Sequence, residues 1–488
     1  MAYPKGFHMD IEQPWDRHIG RRQFIVLGGG AALAAMLAAC GDDDDDASST
    51  TSPGTAPGTA PGSTAAPAGT TAAPGTTGAP VGGANAAQFG GGGGDGTLRI
   101  GFTAPLTGPL AGFGEANPFI VAGIKALVAD GLMIGDQSYT VEIIEKDVQS
   151  NSDTAAQEAG KLITEDGVDL MLAIATPEMI NPVADQCEAN GVPCLSTLAP
   201  WQPYFFGRGG DPAAGFDWTF HFFWGAEQLV GVFVDMWNTI PTNKVVGILC
   251  PNDPDGNALA DPATGFPAGA EAAGYTVVDP GRFESLTDDF SAIISEFKDN
   301  GVEIVVGIPI PPDFATFWTQ AKQQDFNPKL VTMAKAVLFS SAVEALGEDG
   351  DGLASEIWWT PTHPFASSLT GTTSQALGDE YTANTGKQWT QFVGFVHALF
   401  EVCFDVVSRA GSTDKQAIVD AAAATSLDTI VGPIAYGANG VPRNVSPTSL
   451  VGGQWKMVDG QQFPFDLVVT NNSLSPEIPV GGTLEPLA

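Results

Sequence analysis

The 488-residue sequence predicts an α/β fold of two doubly wound, Rossmann-like lobes. Three observations carry this. Short continuous apolar runs alternate with amphipathic stretches, as parallel strands buried between helices require. The rhythm restarts after an aromatic stretch in mid-chain, "GFDWTFHFFWGAEQLVGVFVDMW" (215–237). Residues 97–488 exceed what one hydrophobic core supports, so two cores are expected.

The first unit opens with "LRIGFTAP" (98–105), a β-rich run stopped by Pro105. Residues 113–130 place Phe119, Gly123, Ala126, Leu127 and Asp130 at helical spacing. A strand at 139–147 and a helix at 150–167 follow, the helix with Ser and Asp at its start and Gly at its stop. "VDLMLAIA" (168–175) is a buried strand, 182–191 a helix ending at Gly191, and "VPCLST" (192–197) a strand. The second unit reads strand 243–250, helix 256–273, strand 275–280, helix 288–301, strand 302–308, helix 311–326 and strand 328–334. Helices at 374–384, 389–410 and 414–425 come next, and a hairpin about Asp459-Gly460 closes the chain. Two such lobes with the chain passing between them place a ligand in the inter-lobe cleft, at the carboxyl ends of the strands.

What precedes the lobes reads as an address and a tether. Arg21-Arg22 leads into an apolar run, Phe24–Ala39, too short to span a bilayer and interrupted by three glycines. Basic flank, apolar run and small residues before a boundary mark a cleaved export signal of the twin-arginine type, residues 1–39. Leu37-Ala38-Ala39-Cys40 resembles a bacterial lipobox, which implies that Cys40 becomes the lipidated first residue and anchors the chain to the membrane. Five aspartates follow at once, an impossible neighbour for a buried core helix. Residues 40–96 are poor in large apolar side chains and read as a disordered Asp/Pro/Gly/Thr-rich tether with a reach of roughly 40 Å. No other segment is expected to be long and apolar enough to cross a membrane.

The mature chain carries 16 basic and 53 acidic residues, a net of −37, which repels phosphate backbones and argues against nucleic-acid binding. Cys187 and Cys194 flank the turn "CEANGVPC", where an oxidising compartment permits a bridge as readily as two buried thiols. Metal-ligand spacing is absent, and so are the G-x-S-x-G, HExxH and phosphate-loop patterns, so no metal, no cofactor and no catalysis are expected. "NDPDGNALADPAT" alternates aspartates as a calcium loop does, but Gly256 comes two positions early and Thr264 stands where the bidentate Glu belongs.

"IGFTAPLTGPLAGFGEAN" (100–117), "KDVQSNSDTAAQEAGKLITEDGVDLMLAIA" (146–175), "ANGVPCLSTLAP" (189–200) and "RAGSTDKQAIVDA" (409–421) resemble the branched-chain-amino-acid type of periplasmic substrate-binding protein of ABC transporters. The resemblance runs over essentially all of 97–488. It implies a type I binding-protein fold with a three-crossover hinge, a monomer that closes on a small-molecule solute and delivers it to a membrane permease, and a place outside the cytoplasm. Lobe 1 is then expected at 97–218 and 361–432, and lobe 2 at 219–360 and 433–488. A sensory receptor for a signalling partner, and more remotely a hydrolase, share the scaffold.

The matched positions imply a ligand-binding set of Phe113, Thr176, Pro177, Leu198, Ala199, Pro200, Trp201, Asp255, Ile310 and Lys335. In amino-acid-binding members an acid pairs with the ligand's ammonium; here the position falls near Lys335, which would repel it. Lys335 therefore reads as the counter-ion of an organic acid or neutral polar solute, with Phe113 and Trp201 as apolar wall, or else as a solvated strand end. Trp201, Trp218, Trp224, Trp358 and Trp359 are candidates for stacking in the cleft or for core packing.

Overall fold

The computed structural model describes residues 83–92 and 94–487. The export signal, Cys40 and most of the tether lie outside the described residues.

Six strands open the chain: β1 Gly96–Ala104, β2 Leu132–Ile134, β3 Gln137–Asp147, β4 Leu170–Ile174, β5 Cys194–Thr197 and β6 Thr219–Phe222. Six more form the second unit: β7 Val245–Pro251, β8 Thr276–Val278, β9 Arg282–Phe283, β10 Ile304–Gly307, β11 Leu330–Met333 and β12 Ala354–Ile357. The chain ends with β13 Ser426–Thr429, β14 Gly432–Ala435, β15 Val445–Ser446, β16 Val451–Met457 and β17 Phe465–Asn471. The first sheet runs β15-β6-β5-β4-β1-β3-β2, parallel except for the edge strand β2. The second runs β17-β16-β12-β11-β10-β7-β8, with the β16–β17 hairpin closing it antiparallel. Both are doubly wound: the strands at the centre, β1, β4, β7 and β10, are apolar because helices cover both faces.

Local chemistry explains the helix starts. Asn151 accepts from Thr154 N at 2.9 Å and opens Ser152–Thr164; Asp414 accepts from Ala417 N at 3.0 Å and opens Lys415–Ala423. The helix expected at 256–273 is broken into Pro254–Leu259 and Phe266–Ala272, because Pro262 cannot continue a helix. The helix expected from residue 182 starts at Pro177 instead, with Pro182 accommodated inside it.

The chain passes between the sheets three times, at 223–225, at 358–373 and at 447–450. The expected boundaries after 218 and 432 are therefore early: β6 and β15 both pair within the first sheet, through a hydrogen bond from His221 N to Asn444 O among others. The tether assignment also changes. Residues 83–92 dock on the first lobe: Gly83 bridges to Leu427, Asn85 Nδ2 donates to Ser368 Oγ and Glu401 O, and Phe89 packs on Phe404 at 6.0 Å. Backbone hydrogen bonds from Ala86 N to Asp405 Oδ1 and from Gly90 N to Gly131 O add to these, so a strip whose composition reads as tether is pinned largely through its main chain.

Gln391–Ala410 has the length and composition of a membrane span, contrary to the expectation that no segment beyond the signal does. It is the central helix of the first lobe, and every residue from Gln391 to Val407 is buried. Inside it, Gly394 lies under the Trp359 indole, where a Cβ would stand 2.4 Å from Cγ of the ring. Gly394→Ala should lower the melting temperature, since overpacking costs about 1–3 kcal/mol and helix propensity returns at most about 1. Gly123→Ala, in the helix Asn117–Leu127 with open space at its Cβ, should raise it; thermal melts of the two variants check the contrast.

Cys187 and Cys194 are free, buried thiols rather than a bridge, and burial pushes the Cys187 thiol well above its usual range.

Candidate ligand-binding site

The carboxyl ends of the strands of both sheets converge on one pocket. β4 delivers Thr176, β5 delivers Leu198 and Pro200, β10 delivers Ile308, β11 delivers Lys335 and Leu338, and β12 contributes Glu356 and leads into Trp358. Phe113 enters from the loop after β1, and Asp255 from the first turn of Pro254–Leu259. Phe223 and Trp224 sit on the first crossing, so the hinge itself forms a wall. The backbone is bent to achieve this: Ala175 (φ 102°), Leu198 (φ 78°) and Lys335 (φ 63°) are left-handed at the ends of β4, β5 and β11. Non-glycine residues hold such angles at a cost of about 1–3 kcal/mol each, and they cluster here at the pocket.

The free space enclosed is about 20 Å³, room for about one water. The lobes are thus closed on one another, with the Phe113 and Phe339 rings 5.6 Å apart across the cleft. A solute larger than a water does not fit this space as it stands.

Aromatic rings make most of the wall. Phe223 touches Trp224 at 4.9 Å and Trp358 at 5.0 Å, while Phe392 backs both Trp358 (5.0 Å) and Phe113 (5.1 Å). Against this wall stands one cation among carboxylates. Lys335 is 5% exposed; its Nζ lies 2.7 Å from Asp255 Oδ2 and 3.4 Å from Asp253 Oδ2. Asp253 is placed by its role as helix cap, accepting from Gly256 N at 2.6 Å. Glu356 accepts from Ser355 Oγ at 3.0 Å and from Lys335 N at 3.4 Å. Glu178, in the first turn of Pro177–Asn190, faces this group from the other lobe, and Asp313 from the helix Pro311–Gln323.

These groups hold each other's protons. Burial alone would lower the Lys335 ammonium's pKa, but Asp253, Asp255 and Glu178 together hold it above its usual range. Burial, then the Asp253 charge, pushes Glu178 up to about 7. Burial pushes Glu356 up to about 8 and Asp313 up to about 7, and it raises Asp255 despite Lys335. Several polar atoms sealed from solvent have no hydrogen-bond partner: Thr176 Oγ1, Asp255 Oδ1, Glu178 Oε2, and the indole Nε1 of Trp224 and Trp358. Unmet donors and acceptors of this kind are costly unless something is bound between them.

Of the ten expected residues, Phe113, Thr176, Leu198, Pro200, Asp255 and Lys335 line the pocket. Pro177 and Ala199 are buried beside it, and Ile310 caps the helix Pro311–Gln323 while Ile308 takes the wall. Trp201 is not a wall: its indole donates to Glu227 Oε1 at 3.2 Å beneath the first crossing. Trp218 lies on an outer groove of the first lobe with Phe216, Tyr436 and Arg443, and Trp359 is core, donating to Ser374 Oγ at 3.2 Å. Trp224 and Trp358, weighed equally with these in the sequence, are the two that face the cleft. Lys335 is neither a solvated strand end nor a free counter-ion, because Asp253 and Asp255 already neutralise it. Phe223, Leu338 and Glu356 escaped the sequence reading, though "HFFWG" and "SEIWW", each at a strand end, carry a signal for Phe223 and Glu356.

A family model for periplasmic binding proteins matches residues 97–450. A Leu/Ile/Val-binding protein homologue of Brucella melitensis is 25% identical over 363 residues, which is 70% of this chain and 88% of that one. The solved leucine-binding protein LivK of Thermotoga maritima superposes with a TM-score of 0.63 at 19% identity, over 77% of this chain and 99% of that one. LivJ of Streptococcus pneumoniae, solved with isoleucine, gives 0.60 at 18% identity, over 76% and 99%.

Proposed function

The chain belongs to the periplasmic binding protein family, and from that premise we propose that it is of the branched-chain-amino-acid type and the lipid-anchored solute receptor of an ABC importer. Cys40 carries the lipid, the tether spans the gap to the folded lobes, and the lobes close on one small polar solute. The closed form then docks on a membrane permease, which receives the solute. Each lobe supplies part of the pocket, so the solute bridges them and shifts an open–closed equilibrium. The observation that carries this reading is the set of sealed, unpartnered donors and acceptors contributed by both lobes and the first two crossings.

The test is the melting temperature of the full chain against a panel of amino acids, amides, carboxylates and amines. A solute at a hundredfold its Kd adds about 2.7 kcal/mol. We expect at least one panel member to raise the melting temperature by several degrees, and to do so less in Trp358→Ala. A shift that Trp358→Ala leaves unchanged would place binding outside the cleft and contradict the proposal.

A further inference from the structure

The receptor reading leaves the charge of the solute open, and the pocket's own charge balance addresses it. Five carboxyl groups, Glu178, Asp253, Asp255, Asp313 and Glu356, surround a single ammonium, Lys335. Two of them pair with that ammonium directly, at 2.7 and 3.4 Å. Asp313 accepts from Leu286 N at 2.7 Å on Oδ1 alone, and it does not line the pocket. Asp255 Oδ1, on the wall, has nothing to accept from; Asp313 Oδ2 shares that condition off the wall, and Glu178, also off the wall on the other lobe, has only Thr176 beside it. A carboxylate solute would enter this surplus of like charge with no free cation to meet it.

The walls point the same way. Phe113, Phe223, Trp224 and Trp358 line the pocket together with Asp255 and Glu356, and aromatic faces attract cations where water is excluded. Resting on the receptor reading, we infer that the cleft selects a small organic ammonium, with its nitrogen between Asp255 and Glu178 and an apolar body against Phe113, Phe223, Trp224 and Trp358.

The proton balance supports this and gives it a signature. At neutral pH burial keeps Glu178 and Glu356 partly protonated, at about 7 and about 8. Glu178 is faced by Thr176, by Asp253 and Asp255 at the start of Pro254–Leu259, and by Lys335 after β11; Glu356 is faced by Ser355 and Lys335. A cation settling among them favours the carboxylate forms, so binding releases protons and tightens as pH rises. An anion would do the reverse.

The experiment is calorimetry on the full chain with four probes that share one carbon skeleton: isoamylamine, leucine, isovaleramide and isovalerate. We expect isoamylamine to bind at least about tenfold tighter than the other three, a difference of about 1.4 kcal/mol. Its affinity should rise between pH 6 and pH 8, with proton release visible as a dependence of the heat on buffer. Glu178→Gln, which removes no ion pair within hydrogen-bond reach, should weaken it about tenfold; Asp255→Asn, with Lys335 still held by Asp253, serves as the second variant. Tighter binding of isovalerate or leucine, affinity that falls with rising pH, or no binding of the amine would each overturn the inference. Leucine or isovalerate closing the lobes would overturn it while leaving the receptor reading intact.

Discussion

Lys335→Met should destabilise the protein by about 3–5 kcal/mol, the largest loss we expect from any single substitution in the cleft. The lysine is almost fully buried, and among the described residues it is the one cation in an ion pair with Asp253 and Asp255. Removing it leaves two carboxyl groups in a dry site with no counter-charge. Their desolvation, until then offset, becomes a net cost, and protonation is the only relief. The loss must therefore depend on pH: full near pH 8, smaller near pH 5, where Asp255, already raised by burial, takes up a proton more readily. Denaturant midpoints of wild type and variant at the two pH values measure this. Equal losses at both would mean that Lys335 contributes packing rather than charge.

The second large effect is in the wild-type protein. Glu356 titrates near 4.5 when unfolded and at about 8 when folded, so between those values the folded form holds a proton that the unfolded chain has released. Its contribution to stability is fully present below about pH 4.5 and is lost as pH rises through 8, at about 1.4 kcal/mol per pH unit. Glu178 adds a similar slope over the narrower window from 4.5 to about 7. These two groups favour the folded, solute-free protein near pH 5 over pH 8, while His221, His363 and His397, held neutral by burial, act the other way below pH 6.5. Glu356→Gln keeps an acceptor for Lys335 N and cannot titrate, so it should flatten the profile by one group's share. An unchanged slope in that variant would show that Glu356 is already ionised in the folded state.

These energetics were only half legible in the sequence. Periodicity located both lobes and most of their strands, because β4, β7 and β10 are uninterrupted apolar runs. It missed β12, whose sequence Ala-Ser-Glu-Ile carries a charged residue that the fold buries beneath Lys335. It also missed the helix Ala226–Trp237, whose aromatic content blurs its 3.6-residue period. The family resemblance found Lys335 by counting along the chain, yet assigned it the wrong partner. Asp253 and Asp255 are some eighty residues away in sequence, and only the packing of β7 against β10 and of β10 against β11 brings them together. Likewise Glu178 lies ahead of the helix expected from residue 182 and carries no signal until the lobes close. What local pattern cannot express is a charge whose neighbours belong to another element.

The central claim is that a solute closes two lobes about the three crossings, and distance measurement between spin labels tests it most directly. Cysteines introduced at Thr164 on the first lobe and Ser285 on the second are exposed, whereas Cys187, Cys194, Cys250 and Cys403 are buried. With the solute that most raises the melting temperature, the account predicts that the label–label distance collapses to one short, narrow population. Without it, a longer population should appear beside the short one. A distribution that does not change when that solute saturates the protein would contradict the account.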